Sequence, residues 1–166
     1  GAIRATMWTG GSITDLGAAS AGGSQASAIN DAGWIAGGTS VQGNGSWSPA
    51  LWSAQTGWVL LPTPVGATGH VFGLNSNGLG VGVSGNTATV WANGEARVIG
   101  PNDGRASYAK SVSASGVIVG AVADVPQYPL LVGTSQPAAW LEGGLHMLPL
   151  PPSARGGAAE AVNNNQ

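Results

Sequence analysis

The chain has 166 residues, 7% of them charged, with a net charge of −2 and no cysteine. That length suffices for one domain with a buried core. The charge balance gives no basic footprint for nucleic acid or an anionic membrane, and the lack of thiols excludes disulfides and thiolate metal centres.

Taken from the N-terminus, the predicted elements recur in a fixed order. The chain enters in a strand ending Ala5-Thr6-Met7-Trp8, followed by a Gly10-Gly11 turn and a strand reaching Leu16. A strand over 26–30 then closes on Asn30, a turn places Gly33, and a second strand over 34–38 carries Gly37. After a loop over 39–48 come Pro49-Ala50-Leu51-Trp52, a turn over 54–57, and a fourth strand with Leu60 closed by Pro62. The series returns as 71–75 with Asn75, Gly78, 79–83 with Gly82, a loop over 84–86, Ala88-Thr89-Val90-Trp91, the Asn93-Gly94 turn, and Ile99 before Pro101. It returns again as 109–113 with Ser113, Gly116, 117–121 with Gly120, a loop over 124–136, Pro137-Ala138-Ala139-Trp140, a turn over 142–144, and Leu148 before Pro149. A last strand of the first type is expected over 159–163, with Gln166 where the turn glycine would stand.

Each feature has a physical reading. Asn-x-x-Gly between apolar runs is a tight-turn signal, because glycine adopts the positive φ that other residues resist. A glycine recurring inside a strand marks a bulge or a close backbone approach, here expected from crowding towards an axis. Proline closes the fourth strand because it cannot donate to a ladder. Successive tryptophans lie 44, 39 and 49 residues apart, the size of a four-stranded propeller blade. The expected fold is therefore all-β: a β-propeller or propeller fragment of about four four-stranded blades in a single repeat domain over 1–166. Complete blades are expected over 25–62, 70–101 and 108–151. A split, incomplete blade is expected from 3–17 and 158–166. Its missing second strand predicts a fragment of a longer array or a gap that another chain fills.

The segments Trp8-Thr9-Gly10-Gly11-Ser12-Ile13-Thr14-Asp15-Leu16-Gly17, Ala26-Ser27-Ala28-Ile29-Asn30-Asp31-Ala32-Gly33-Trp34-Ile35-Ala36-Gly37 and Ser113-Ala114-Ser115-Gly116-Val117-Ile118-Val119-Gly120 resemble the HAF repeat family of bacterial extracellular proteins. The resemblance covers nearly the whole chain. It implies β-propeller-like repeats and a secreted or cell-surface location, and it implies no particular chemistry. Ser113 departs from the family's Asn and Gln166 from its Gly, and the His-Ala-Phe triplet is absent.

The four strand-ending tryptophans are expected as core wedges between blades, and so is Trp34, which stands where the other repeats have Leu79 and Val117. Trp47 differs, because it sits in a loop of small polar residues that includes Asn44. An indole in such a loop is a candidate ligand contact. Trp58 aligns by spacing with Thr14, Arg97 and His146, a mixture that reads as an exposed position and makes it a further candidate. Tyr128, in the loop over 124–136, is another. Asn30, Asn75, Ser113 and Asn163 are expected to cap their own turns, with the lining of a central channel as the alternative. His70 and His146 are expected on exposed loops, and no metal site or cofactor is expected. The acids form no matched carboxylate pair for glycoside hydrolysis, and no Gly-x-Ser-x-Gly elbow is present.

These readings favour a non-enzymatic extracellular binding module, with a glycan or other cell-surface ligand held by the loops over 39–48 and 124–136. The alternatives are a structural protein that self-associates through an open blade edge, and a fragment of a larger propeller hydrolase whose acids lie elsewhere. No nucleic-acid partner and no membrane span are expected.

Overall fold

The computed structural model describes residues 3–40, 45–66, 68–123, 135–142 and 144–164. Among them the chain is all β, so no helix is long and apolar enough to cross a membrane. Strands β1 (Thr6–Thr9) and β2 (Ser12–Asp15) form a two-stranded antiparallel sheet. Three four-stranded sheets follow: β3 (Ser24–Ile29), β4 (Ile35–Ser40), β5 (Trp47–Ser53) and β6 (Gly57–Leu60); β7 (Gly69–Leu74), β8 (Gly80–Ser84), β9 (Thr87–Ala92) and β10 (Glu95–Val98); β11 (Ala106–Val112), β12 (Ile118–Ala123), β13 (Ser135–Leu141) and β14 (Gly144–Met147). In each, the strands lie side by side in chain order and every pair is antiparallel.

The turn between first and second strands is the same in all three sheets. The N–H groups of Gly33, Gly78 and Gly116 donate to the carbonyls of Asn30, Asn75 and Ser113 at 3.0, 3.1 and 3.0 Å. The three glycines have φ of 78°, 81° and 90°, a left-handed conformation that a Cβ would strain. As the spacing predicts, Asn30 Oδ1 accepts from the Trp34 N–H, Asn75 Oδ1 from the Leu79 N–H and Ser113 Oγ from the Val117 N–H. The same asparagines also tie one sheet to the next, which the sequence pattern does not reveal. Asn30 Nδ2 donates to the Asn75 carbonyl and Asn75 Nδ2 to the Ser113 carbonyl, each at 3.0 Å. Serine has no amide to extend the series. There the link reverses, and the Ala114 N–H donates to Asn164 Oδ1.

The recurring in-strand glycines answer to a bulge. Each first strand carries one extra residue against its second strand: Ser27, Phe72 and Lys110, where the pairing register shifts. A methyl group on Gly37, Gly82 or Gly120 would run into the carbonyl oxygen of Gln25, His70 or Tyr108 beside that bulge. The close approach is thus to the neighbouring strand of the same sheet.

Consecutive sheets interlock at the start of each first strand. The N–H groups of Ser24, Ser107 and Gly157 donate to the carbonyls of Ile3, Asn86 and Ser135, each five residues before a repeated tryptophan. Where the residue three before the tryptophan has an N–H, as at Ala5 and Ala88, the incoming residue is serine, and Ser24 Oγ and Ser107 Oγ accept from it at 3.0 Å. Where that residue is Pro49 or Pro137, no N–H exists, and the incoming residue is Gly69 or Gly157. A methyl on Gly69 would run into the Val83 carbonyl oxygen and also crowd the Pro49 ring.

The tryptophans themselves do not share one environment. Trp91 is 1% exposed and its indole N–H donates to the Pro62 carbonyl at the exit of the preceding sheet; Trp140 is likewise buried and donates to the Ile99 carbonyl. Trp52 is half-buried against the cluster of Ala5, Leu16, Ile35, Ala50 and Trp58. Trp8 is 67% exposed, because no described sheet stands before it. The expectation of four equivalent wedges is corrected accordingly: the indole is buried when a preceding sheet receives it.

Three further expectations change. Trp58, expected exposed, is 9% exposed and lies in the core. The turn before it is one residue longer than its counterparts, pairing Ser53 with Gly57 where Thr9 pairs with Ser12. A one-residue slip moves every side chain to the other face, so Trp58 faces Trp52 and belongs with Ile13, Ala96 and Leu145. For the same reason Leu61, not Leu60, is the fourth-strand residue that packs inward; the Leu61 N–H donates to the Pro49 carbonyl as Leu16, Ile99 and Leu148 donate to Ala5, Ala88 and Pro137. Trp34 is exposed on its turn rather than in the core. Residues 159–163 form no strand, although Ala159 N–H donates to the Gly120 carbonyl.

Candidate functional site

The bulges that demand glycine on the second strand also aim side chains out of the first. Ser27, Phe72 and Lys110, the extra residues, all line a cleft of about 610 Å³. They also line an adjoining groove of about 420 Å³, where the corresponding residue of the last segment, Glu160, joins them. A bulge re-aims a side chain in this way wherever it interrupts a ladder. Two residues earlier in the repeat, Gln25 and His70 also line the cleft.

Aromatic rings run across this surface from sheet to sheet. Trp47, at the start of β5, meets His70 edge-on with centroids 6.3 Å apart; His70 and Phe72 are tilted at 5.1 Å; Phe72 and Tyr108 are edge-on at 6.3 Å. Lys110 Nζ sits 5.0 Å from the Phe72 centroid and 3.9 Å from Glu160 Oε2, and the Tyr108 hydroxyl reaches Glu160 Oε1 at 3.5 Å. Ring–ring and cation–ring contacts of this kind hold side chains in place beyond simple area burial.

His70 is not on an exposed loop, as expected, but half-buried in β7. Burial, and then the positive charge of Lys110, lower its pKa from 6.5 to about 4. The imidazole is therefore neutral near pH 7. Ser27 Oγ lies 2.8 Å from His70 Nε2, and a neutral ring can either donate or accept there. The cleft thus offers aromatic faces and uncharged hydrogen-bonding groups at its centre, and an ion pair at one end.

Of the residues singled out from the sequence, Trp47 lines the cleft. Trp58 does not; it is core. Asn44 and Tyr128, with most of the loop over 124–136, lie outside the described residues. Sequence reasoning missed His70, Phe72, Tyr108 and Lys110. For Phe72 and Lys110 a signal was available: three residues before each capping Asn or Ser, the repeats read Ser27, Phe72, Lys110 and Glu160, the most chemically varied position inside an otherwise uniform strand.

The described acids Asp15, Asp31, Glu95, Asp103, Glu142 and Glu160 are all exposed. Asp103 is held below the usual carboxylate range by the Arg105 backbone N–H and guanidinium, the latter 2.8 Å away. Among the described residues no three His, Asp or Glu side chains are grouped to hold a metal ion. Compared with protein-family models, curated proteins and solved structures, the chain has no significant match.

Proposed function

We propose that this chain is a non-catalytic binding module that takes a neutral oligosaccharide along the cleft of Trp47, His70 and Phe72. The observation that carries this reading is the aromatic run beside a neutral imidazole and hydroxyl. Sugar rings present an apolar C–H face that stacks on aromatic rings and a rim of hydroxyls that pair with uncharged donors and acceptors. Such sites need a few placed polar groups on an apolar floor. The reading treats the sheets as propeller-like blades of the HAF-repeat type, with first strands towards a common axis. The asparagine links and the shared groove of Ser27, Phe72, Lys110 and Glu160 support that arrangement. A secreted or cell-surface location belongs to the same proposal.

Calorimetric titration with a panel of neutral oligosaccharides tests it. At least one member is expected to bind, and Trp47→Ala is expected to weaken binding at least about ten-fold, or ~1.4 kcal/mol. Affinity is expected to stay flat between about pH 5.5 and 8, because a histidine with a pKa of about 4 does not titrate there. A panel without a millimolar binder, or full affinity in the Trp47 variant, overturns the reading.

A further inference from the structure

The first-strand bulge releases one residue per repeat from the packing of the sheets. The extra residue of a bulge is left unpaired in its ladder, so no cross-strand partner dictates its side chain. Its neighbours in the four segments are small or aliphatic: Ala26, Val71, Ala109 and Ala159 on one side, Ala28, Gly73, Ser111 and Ala161 on the other. The position itself holds a hydroxyl, a phenyl ring, an ammonium and a carboxylate, in Ser27, Phe72, Lys110 and Glu160. All four border the groove of about 420 Å³. A constant scaffold thus presents one changeable side chain per repeat to a shared hollow.

Among the described residues that line this groove or the cleft, Lys110 and Glu160 alone carry charge at neutral pH, since the His70 imidazole is neutral there. Lys110 borders both cavities and Glu160 the groove. Their charged atoms, Nζ and Oε2, are 3.9 Å apart. That is longer than a hydrogen bond, yet close enough for each charge to offset the field of the other. Both side chains stay partly open to solvent, at 39% and 63% exposure, so the pair adds little to folding. Its effect falls on whatever enters the groove. An incoming carboxylate is attracted by Lys110 and repelled by Glu160 at nearly the same distance, and an incoming ammonium meets the reverse. A sugar hydroxyl suits both, because it can accept from the ammonium and donate to the carboxylate.

We propose that Lys110 and Glu160 form a charge filter at the end of the cleft, one that admits uncharged sugars and turns away both uronic acids and amino sugars. The inference rests on the sugar-binding reading of the cleft and adds the residues that set its selectivity. Specificity is a difference between affinities, and a repulsive group set against each wrong partner is one way to obtain it. Glu160 is that group for an anion and Lys110 for a cation.

Three tetrasaccharides with the same β-1,4 backbone serve as probes: neutral cellotetraose, its glucuronic acid counterpart with a carboxylate on each ring, and its glucosamine counterpart with an amine on each ring. Calorimetric titration of the whole chain, at a mildly acidic pH where the amines are charged, is expected to show the parent binding the neutral tetramer in preference to both others. Glu160→Gln removes the anion and keeps a side-chain oxygen for the Tyr108 hydroxyl. It is expected to bind the glucuronic tetramer at least about five-fold more tightly than the parent does, at an unchanged melting temperature, with a gain that fades as salt is added. Lys110→Met keeps an unbranched apolar stem beside the Phe72 ring and is expected to make the corresponding gain for the glucosamine tetramer. Glu95→Gln changes the net charge equally on β10, three strands from β7 in its sheet, and is expected to gain nothing. No gain in the Glu160 variant, equal gains in the Glu95 and Glu160 variants, or a parent that takes a charged tetramer as tightly as the neutral one overturns the filter, and binding of a neutral sugar by the parent would still uphold the reading of the cleft. A gain confined to the Glu160 variant, when no neutral oligosaccharide binds the parent, upholds the role of Glu160 and overturns the neutral-sugar reading.

Discussion

Replacing Gly82 by alanine is expected to lower the stability of the protein by about 4 kcal/mol or more, or to prevent folding. The usual cost of overpacking is about 1–3 kcal/mol. It is that low because side chains can shift, and a main-chain carbonyl paired within a sheet has little freedom to do so. The methyl group at this position runs into the His70 carbonyl beside the bulge at Phe72. Relief would require opening the pairing of β7 and β8. Gly78→Ala, only four residues away, is the control. Gly78 has φ of 81° and nothing near its missing side chain, so alanine there is expected to cost about 1–2 kcal/mol from backbone strain alone. Chemical denaturation of both variants reads the difference. Equal costs would show that the in-strand glycine is conformational rather than steric in purpose. Because Phe72 and His70 flank the same bulge, a tolerated Gly82 variant is also expected to disturb the cleft.

The second large effect separates two residues of identical repeat position. Trp91→Ala is expected to cost about 3–5 kcal/mol, the range for a large aromatic removed from a core. It also leaves the Pro62 carbonyl without its indole donor. Trp8→Ala is expected to fall within about 0.5 kcal/mol of the parent chain, as exposed substitutions generally do. Their sequence contexts, Ala5-Thr6-Met7-Trp8 and Ala88-Thr89-Val90-Trp91, are nearly the same. The expected difference therefore comes from the neighbouring sheet, not from the repeat itself. A large loss at Trp8 would mean that its face is covered in solution.

This contrast also marks how far the fold was legible in sequence. Turns held by Asn30, Asn75 and Ser113 were readable because capping is local: one side-chain oxygen, a backbone N–H four residues on, and a glycine that tolerates positive φ. Strand type and order were readable because the tryptophan and asparagine spacings repeat. The burial of each tryptophan was not, since it depends on a surface contributed by a different sheet. Trp58 shows a second limit. Counting residues from Trp52 placed it in a polar row, and one extra turn residue put it in the apolar one; spacing fixes a face only where turn lengths match. Trp47 was recognisable as an aromatic among small polar residues. His70 and Tyr108 were not, because they lie within strands whose neighbours look structural, and Phe72 and Lys110 were marked only by the variety of their repeat position. The bulge, which is invisible in a single strand's sequence, aims Phe72 and Lys110 into the cleft, and His70 lines it from two residues before Phe72. The interlock of Ser24 with Ala5 and of Gly69 with Pro49 falls between these cases. Both partners stand in plain view, but their pairing emerges only once the sheets are placed side by side.

Amide hydrogen exchange followed residue by residue tests the whole arrangement most directly. Exchange protection reports how deeply each hydrogen bond is held in the packed array. The account requires the amides of β4, β8 and β12 to be the slowest in the molecule, exchanging only through global unfolding. In β1 it requires an alternation: Met7 and Thr9, bonded to β2, are slowed, while Thr6 and Trp8, facing the open edge, exchange near the rate of an unstructured chain. Protection at Thr6 and Trp8 equal to that of Val81 and Val83 would contradict it, for it would mean that the first sheet is already complete.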